Sequence, residues 1–276
     1  MSTPEVEVLV PTYRRPAALA VTLTSLVGQT YTSFGVVVSD QSESLSDRGE
    51  LATVVRVLEA RGHPVTVHHH LPRQGMAEQR AFLLAQARAG RVLFLDDDVV
   101  LAPEVLERLV TTMDEQACGF VGVPLVGLSH RHDVRPHEQD IDAWDEPVRP
   151  EVVTPNSPAW DRHRLHNAAN ALHVEERLGL GRHDRFVYRV AWTGGCVLYD
   201  SAKLRAAGGF DFWTDLPPDH VGEDVLAQLR VMGRFGGCGV LPSGAYHQEL
   251  ETTLPERLVD APLVLSSTSG TGPGDG

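Results

Sequence analysis

Apolar residues in the first third of the chain follow two rhythms: short unbroken runs, and longer stretches where they return at helical spacing. Val6 to Val10 is a run that stops at Pro11. A polar turn follows from Thr12 to Arg15, and Pro16 to Val27 has the helical rhythm, so the order is strand, loop, helix. Gly35 to Ser39 is again continuous and ends at Asp40, as a strand buried on both faces would. Leu51 to Arg61 predicts a helix ended by Gly62, Val65 to His70 a strand, Met76 to Ala89 a helix with Gly90 as its stop, and Val92 to Leu95 a very apolar strand.

This alternation predicts an α/β domain with a mostly parallel, Rossmann-like sheet and helices on both faces. Ligands in such sheets sit beyond the carboxyl ends of the strands. The polar residues at those ends, Thr12 to Arg14, Asp40 and Asp96 to Asp98, are therefore expected to converge on one crevice.

The pattern changes between Gly127 and about Arg189, where Pro, His, Arg, Trp and acidic residues crowd in and only Asn167 to Leu178 looks helical. A loop-rich insertion is expected there. Order returns with Val190 to Tyr199 as a strand, Ser201 to Ala207 as a short helix, a turn at Gly208 and Gly209, and an amphipathic helix from Glu223 to Met232. The chain divides on this reading into 1–126, 127–250 as the second half of the same domain, and a tail from 251 with disorder-like composition from about Ser266.

A length of 276 residues suits one large domain with a tail. The net charge of -13 argues against a nucleic-acid surface, which needs clustered Lys and Arg. Cys118, Cys196 and Cys238 are isolated from one another, so they suggest neither a disulfide framework nor a metal pair, only buried thiols in a reducing compartment. No apolar run reaches the roughly 18 to 20 residues of a membrane span, and the N-terminus lacks a signal-peptide core. A cytosolic protein is expected, with peripheral visits to a membrane left open.

Four groups of residues carry candidate chemistry. Asp96, Asp97 and Asp98 follow a buried strand directly, where three carboxylates repel one another unless a cation sits among them. The same residues also suit a solvated turn capping the helix near Pro103. Glu223 and Asp224 open a helix after Gly222, facing a cleft or simply answering the helix dipole. Trp192, Thr193, Gly194 and Gly195 offer a flat indole face for a sugar ring and close backbone approach, although a lone Trp also suits a core. His247 follows the run Gly239 to Leu241 and the turn Pro242 to Gly244, and can offer an imidazole nitrogen to a metal.

Read with Pro11-Thr12-Tyr13-Arg14, these groups resemble glycosyltransferase family 2, inverting enzymes of the GT-A fold, over about residues 5 to 250. Several further segments carry the likeness. Gln74 to Ala81 is similar to the family's Gly-rich turn and A-R-N helix start, Asp96 to Asp98 to its D-x-D, Gly208-Gly209-Phe210-Asp211 to its G-G-F-D, and Glu223-Asp224 to its E-D pair. Two positions depart from the family pattern: Arg14 stands where Asn is usual, and Ala81 replaces another Asn.

The resemblance implies a nucleotide-sugar site. Pro11, Thr12, Tyr13 and Arg14 hold the nucleotide, Asp40 contacts the base, Arg73 and Arg80 neighbour phosphate or base, and Asp96 lies nearer the ribose, with Asp97 between. Asp98 and His247 bind a divalent metal, Mn or Mg. Asp224 is the general base and Glu223 orients it or the acceptor, while Trp192, Gly194 and Gly195 meet the sugars. The partners implied are a nucleotide-diphosphate-sugar donor, UDP by family habit, and a small-molecule, glycan or lipid-linked acceptor.

Three other readings compete. A nucleotidyltransferase of similar fold usually begins with a Lys-containing, Gly-rich phosphate loop, and this chain has PTYRR instead. A non-catalytic nucleotide-sugar-binding protein would have no use for Asp98, Asp224 and His247 together. A histidine metal site would use His68, His69 and His70 or His130, His132 and His137, but strand alternation sends His69 to the face opposite His68 and His70.

Overall fold

In a computed structural model of the chain, which describes residues 3–43, 49–252 and 258–265, the first half follows the predicted alternation. It runs β1 (Val6–Thr12), α1 (Pro16–Val27), β2 (Phe34–Asp40), α2 (Gly49–Ala60), β3 (Val65–His69), α3 (Met76–Gln86) and β4 (Arg91–Leu95). Then come β5 (Val99–Leu101), α4 (Val105–Gln116), β6 (Phe120–Gly122), α5 (Asn170–Leu178), β7 (Phe186–Tyr188), β8 (Cys196–Asp200) and α6 (Ser201–Ala206). The described chain closes with β9 (His220–Val221), α7 (Glu223–Phe235), β10 (Gly237–Leu241), β11 (Ala245–His247), β12 (Val259–Asp260) and α8 (Ala261–Leu265). The tail expected from about Ser266 lies outside the described residues.

One sheet carries the domain, in the order β3-β2-β1-β4-β8-β6-β10-β7. Strands β3, β2, β1 and β4 are mutually parallel, β8 runs antiparallel between β4 and β6, and β7 is antiparallel to β10. After β1 the chain builds outward through β2 and β3, then returns to place β4 on the other side of β1. Strand order reverses there, and a crevice opens above the ends of β1 and β4.

Alternation along β1 shows why both faces are covered. Val8 and Val10 enter a core with Leu19, Leu23 and Leu26 of α1, Leu58 of α2 and Leu106 and Leu109 of α4. Leu9 points the other way, into a core with Leu83 of α3, Leu204 of α6 and Leu226 and Val231 of α7. Every residue of β2 is buried, whereas β3, at the sheet edge, keeps Thr66, Val67 and His69 exposed.

Three expectations needed correction. Helix α3 ends at Gln86, short of Ala89, because Arg88 N and Ala89 N donate to the Glu7 carboxylate and Arg205 donates to the carbonyls of Leu84 and Ala87. The strand expected over Val190 to Tyr199 begins only at Cys196 and extends to Asp200. Before it, Thr193 exchanges two hydrogen bonds with the buried Gln228 side chain, which takes the place of a neighbouring strand. The helix expected from Asn167 begins at Asn170. The regular structure in the rest of the insertion is limited to single helical turns at Leu128–His130 and Pro136–Glu138, a seven-residue 3-10 helix at Trp160–His166, and β7. Arg162 ties the insertion together from within, reaching Glu151 and Asp142 at 2.7 and 3.1 Å.

Candidate active site

At the end of β4 the three aspartates face three ways. Asp96 N donates to the Gly195 carbonyl (2.9 Å), and its carboxylate stays partly exposed in the crevice. Gly195 has φ +68°, and an added Cβ would lie 2.5 Å from Leu125 and 3.0 Å from Asp96 Oδ2, so only glycine lets the two segments meet. Asp97 turns inward, where Thr12 Oγ1 donates to its Oδ2 (2.6 Å) and Thr22 Oγ1 to its carbonyl (2.8 Å). Burial pushes the Asp97 carboxyl up to about 6, against the lowering effect of the Thr12 bond.

Asp98 is raised by burial and by Asp96, while His247 and Arg15 pull it back. His247 is brought there by the β5–β11 ribbon, which sets it opposite Val99 and puts Nε2 3.5 Å from Asp98 Oδ2. Arg15 reaches the same oxygen from the other side: Nη1 lies 2.7 Å from Asp98 Oδ2 and 3.5 Å from Asp97 Oδ1, and Nη2 donates to the Glu251 carbonyl.

The second acidic group is tied to the first through Arg80. Its Nη2 is 2.9 Å from Asp96 and its Nε 3.0 Å from Glu223, and the side chain is buried. Burial opposes that charge, but Asp96, Glu223 and Asp224 more than offset the effect, so Arg80 holds its proton more tightly than usual. Asp224, next to Glu223 on the first turn of α7, is pushed up to about 7 by burial and by Glu223, with Arg80 the main opposing influence.

Arg80 is aimed by the way α3 starts. Gly75 has φ +100° and ψ 171°, and a Cβ there would lie 2.7 Å from the Pro218 carbonyl and 2.8 Å from His220. The buried His220 accepts from Ala77 N at Nε2 (3.1 Å) and, protonated at Nδ1, donates to the Pro217 carbonyl (2.7 Å). It thereby fixes the start of α3 against the segment that leads into Glu223. Gln79, on the same helix, donates to the carbonyls of Thr12 and Ser39, joining the ends of β1 and β2.

A cavity of about 340 Å³ collects Pro11, Thr12, Tyr13, Arg15, Arg80, Asp96 to Asp98, Glu223, Asp224 and His247, within the range of small-ligand sites. Other expected residues lie beside it. Arg14 turns outward to Glu43 (3.2 Å), and the Arg14 and Arg73 guanidinia lie 5.0 and 4.5 Å from the Tyr13 ring centre. Asp40 is buried at the end of β2, where it accepts from Ser42 N (2.7 Å). Trp192 stacks on His163 at 4.7 Å, outside the cavity lining. Arg80, which lines the cavity, spends its Nη2 and Nε on Asp96 and Glu223. A second, polar cavity adjoins the first through His247 and Leu250 and is lined by Gly127, His130, Arg135 and Asn167 of the insertion.

The donors suit a hard divalent cation. Among the described residues no group of three His, Cys, Asp or Glu is arranged around one point. Asp98 and His247 offer two donors, and Mg²⁺ or Mn²⁺ commonly takes one or two carboxylates, keeps waters and completes its shell with phosphate oxygens. In the first histidine run His68 and His70 contact Phe82, while His69 lies 3.9 Å from Asp40. Arg15, His220 and Gln79 were not singled out from the sequence. Arg15 stands beside the PTYR motif and Gln79 inside the Gln74 to Ala81 segment, whereas His220 carries no local signal.

The model of the family described as Glycosyl transferase family 2 matches residues 7–174. Over 108 residues the chain is 32% identical to an uncharacterized glycosyltransferase of Haemophilus influenzae, a match covering 39% of this chain and 34% of that one. The crystal structure of S. aureus TarS 1-349 in complex with UDP-GlcNAc is similar at a TM-score of 0.58 and 19% identity, covering 91% of this chain and 60% of the other. Mannosyltransferase PcManGT from Pyrobaculum calidifontis, in complex with GDP-Man and Mn²⁺, is similar at 0.56 and 17%, covering 92% and 59%. The chain thus spans less than two thirds of the length of each of these relatives. At such identities the structural likenesses speak for the fold, which is the GT-A arrangement. No helix among the described residues is long and apolar enough to cross a membrane.

Proposed function

Because the chain belongs to glycosyl transferase family 2, we propose that it moves a sugar from a nucleoside diphosphate, UDP favoured, onto an acceptor hydroxyl with inversion at the anomeric carbon. One observation carries this reading: Asp98 and His247 line the same crevice as Asp224, so a donor held at the first pair has a carboxylate within the same enclosure.

On this reading Pro11, Thr12 and Tyr13, with Arg14, Arg73 and Asp40 alongside, receive the nucleotide, and Asp96 sits nearer the ribose. Asp98 and His247 would hold a divalent cation, Mn²⁺ or Mg²⁺, which would supply positive charge for the departing diphosphate. Asp224, raised to about 7, is matched to taking a proton from a hydroxyl near neutral pH. Glu223 is locked to Arg80, so its part is to orient its neighbour. A base and a leaving group on opposite sides of the reacting carbon give one displacement and an inverted product.

The adjoining polar cavity in the insertion takes the acceptor, and the family resemblance keeps Gly194, Gly195 and Trp192, which line neither cavity, as neighbours of the sugars. Acceptors that fit are small molecules, glycans or lipid-linked sugars met from the cytoplasm. A nucleoside-diphosphate-sugar donor is supported by two structural neighbours, one in complex with UDP-GlcNAc and one with GDP-Man.

The test is release of nucleoside diphosphate from a panel of UDP- and GDP-sugars with Mn²⁺, with Mg²⁺ and with excess chelator, followed by NMR of the product anomer. One donor consumed only with metal, giving the inverted anomer, is expected. Full turnover in chelator removes the metal from the account, and retention removes Asp224 as the base.

A further inference from the structure

Arg15 sits where a cation is needed. Its Nη1 is 2.7 Å from Asp98 Oδ2, the oxygen that His247 Nε2 approaches at 3.5 Å, and it is 3.5 Å from Asp97 Oδ1. The side chain is only 17% exposed, so the pair is largely shielded from screening by solvent and salt. Its other terminal nitrogen donates to the Glu251 carbonyl, in the segment where Leu250 and Thr252 also line the crevice. The guanidinium therefore offsets part of the charge of Asp97 and Asp98 and ties the Glu251 backbone beside them.

A guanidinium on Asp98 Oδ2 and a metal ion held between that oxygen and His247 Nε2 would compete for the same acceptor and repel one another. Removing Arg15 from Asp98 without a replacement partner leaves a largely buried cation beside acids it no longer contacts, and that is costly. A diphosphate is such a partner, since its oxygens accept the paired donors of a guanidinium with good geometry.

We propose that Arg15 is a resident counter-cation that makes metal entry at Asp98 depend on the nucleoside diphosphate. The diphosphate draws Arg15 off Asp98 and at the same time offers oxygens to the incoming ion. Metal and nucleotide then each strengthen the other's binding, because coupling between two ligands is reciprocal. This inference rests on the metal reading of Asp98 and His247 given above. It adds an order of events and a residue that enforces it.

The experiment is a Mn²⁺ titration, following the free ion by EPR, of the intact protein alone and with UDP or GDP, for wild type, Arg15→Gln, Arg15→Lys and Asp98→Asn. Wild type is expected to bind Mn²⁺ weakly alone and roughly 5- to 150-fold more tightly with the nucleotide, the usual range of such coupling. Arg15→Gln should bind Mn²⁺ alone about tenfold or more tightly than wild type, with the coupling reduced toward none. Arg15→Lys, which keeps a charge, should fall between the two.

Unchanged or weaker Mn²⁺ binding by Arg15→Gln alone, in protein with a cooperative melt, overturns the proposal. If that variant does not fold, wild-type behaviour of Arg15→Lys overturns it instead. Asp98→Asn separates the two levels of argument. Retained Mn²⁺ affinity there removes the metal site and this inference with it, whereas lost affinity alongside unchanged coupling in the Arg15 variants removes the inference alone.

Discussion

At the scale of single residues, Asp224 is the group whose surroundings are most specific. Burial and Glu223 raise its carboxyl to about 7, so the ionised form that accepts a proton forms only as pH climbs through neutrality. Transfer by the proposed enzyme is therefore expected to rise from pH 6 to pH 8, along a limb near 7. Asp224→Asn should lose about 100-fold to 10,000-fold in kcat while keeping its melting temperature and donor affinity. Wild-type turnover in that variant, or a flat pH profile in the parent, excludes Asp224 as the base. The acidic residues were readable because carboxylates directly after a buried strand have few bland explanations. Arg15 was not readable, because nothing in the pair Arg14-Arg15 says which one turns inward. The backbone decides it: Arg14 has φ +56° and swings out to Glu43, leaving Arg15 on the aspartates.

At the scale of elements, α3 aligns the two acidic groups, and its start can be broken separately from its cargo. Gly75→Ala forces a Cβ onto the Pro218 carbonyl in a conformation that only glycine adopts readily. A loss of about 1 to 3 kcal/mol is expected, read as a melting temperature lower by several degrees, and an unchanged melt would show that the 217–221 segment yields freely. Arg80→Met removes the cargo. It leaves Asp96, Glu223 and Asp224 facing one another, and unpairing a buried charge network typically costs about 3 to 5 kcal/mol.

Since Arg80 lowers the Asp224 value, the pH limb should also move to higher pH in the methionine variant. An acid-ward move would show that Arg80 does not act on that carboxylate. The long elements, β1 to β4 with α1 to α3, were legible from rhythm alone, to within a few residues at their ends. The three-residue strands β5, β6 and β7 were not, because so few residues establish no period. That gap mattered, since the β5–β11 ribbon is what carries His247 to Asp98.

At the scale of the whole molecule, charge balance explains why the two halves of the chain should respond together to ligand. The crevice places Asp96, Asp97, Asp98, Glu223 and Asp224 against Arg15, Arg80 and His247, within a chain of net charge -13. A diphosphate entering alone meets more negative than positive charge, and a divalent cation reverses that balance. The ligand would touch β1 and β4 from one half and α7 and β11 from the other, so binding favours only the state in which both are folded. A ligand at about 100 times its Kd stabilises by about 2.7 kcal/mol. At roughly 2 to 4 °C per kcal/mol for a domain near this size, that is a rise of about 5 to 10 °C. UDP or GDP with Mn²⁺ is expected to give a shift of that order in a thermal melt, and the same nucleotide in chelator only a small part of it. Equal shifts in both conditions would mean that the nucleotide is held by the loop after β1 without help from the aspartates, and the crevice would then be a binding site without the cation on which the proposed chemistry depends.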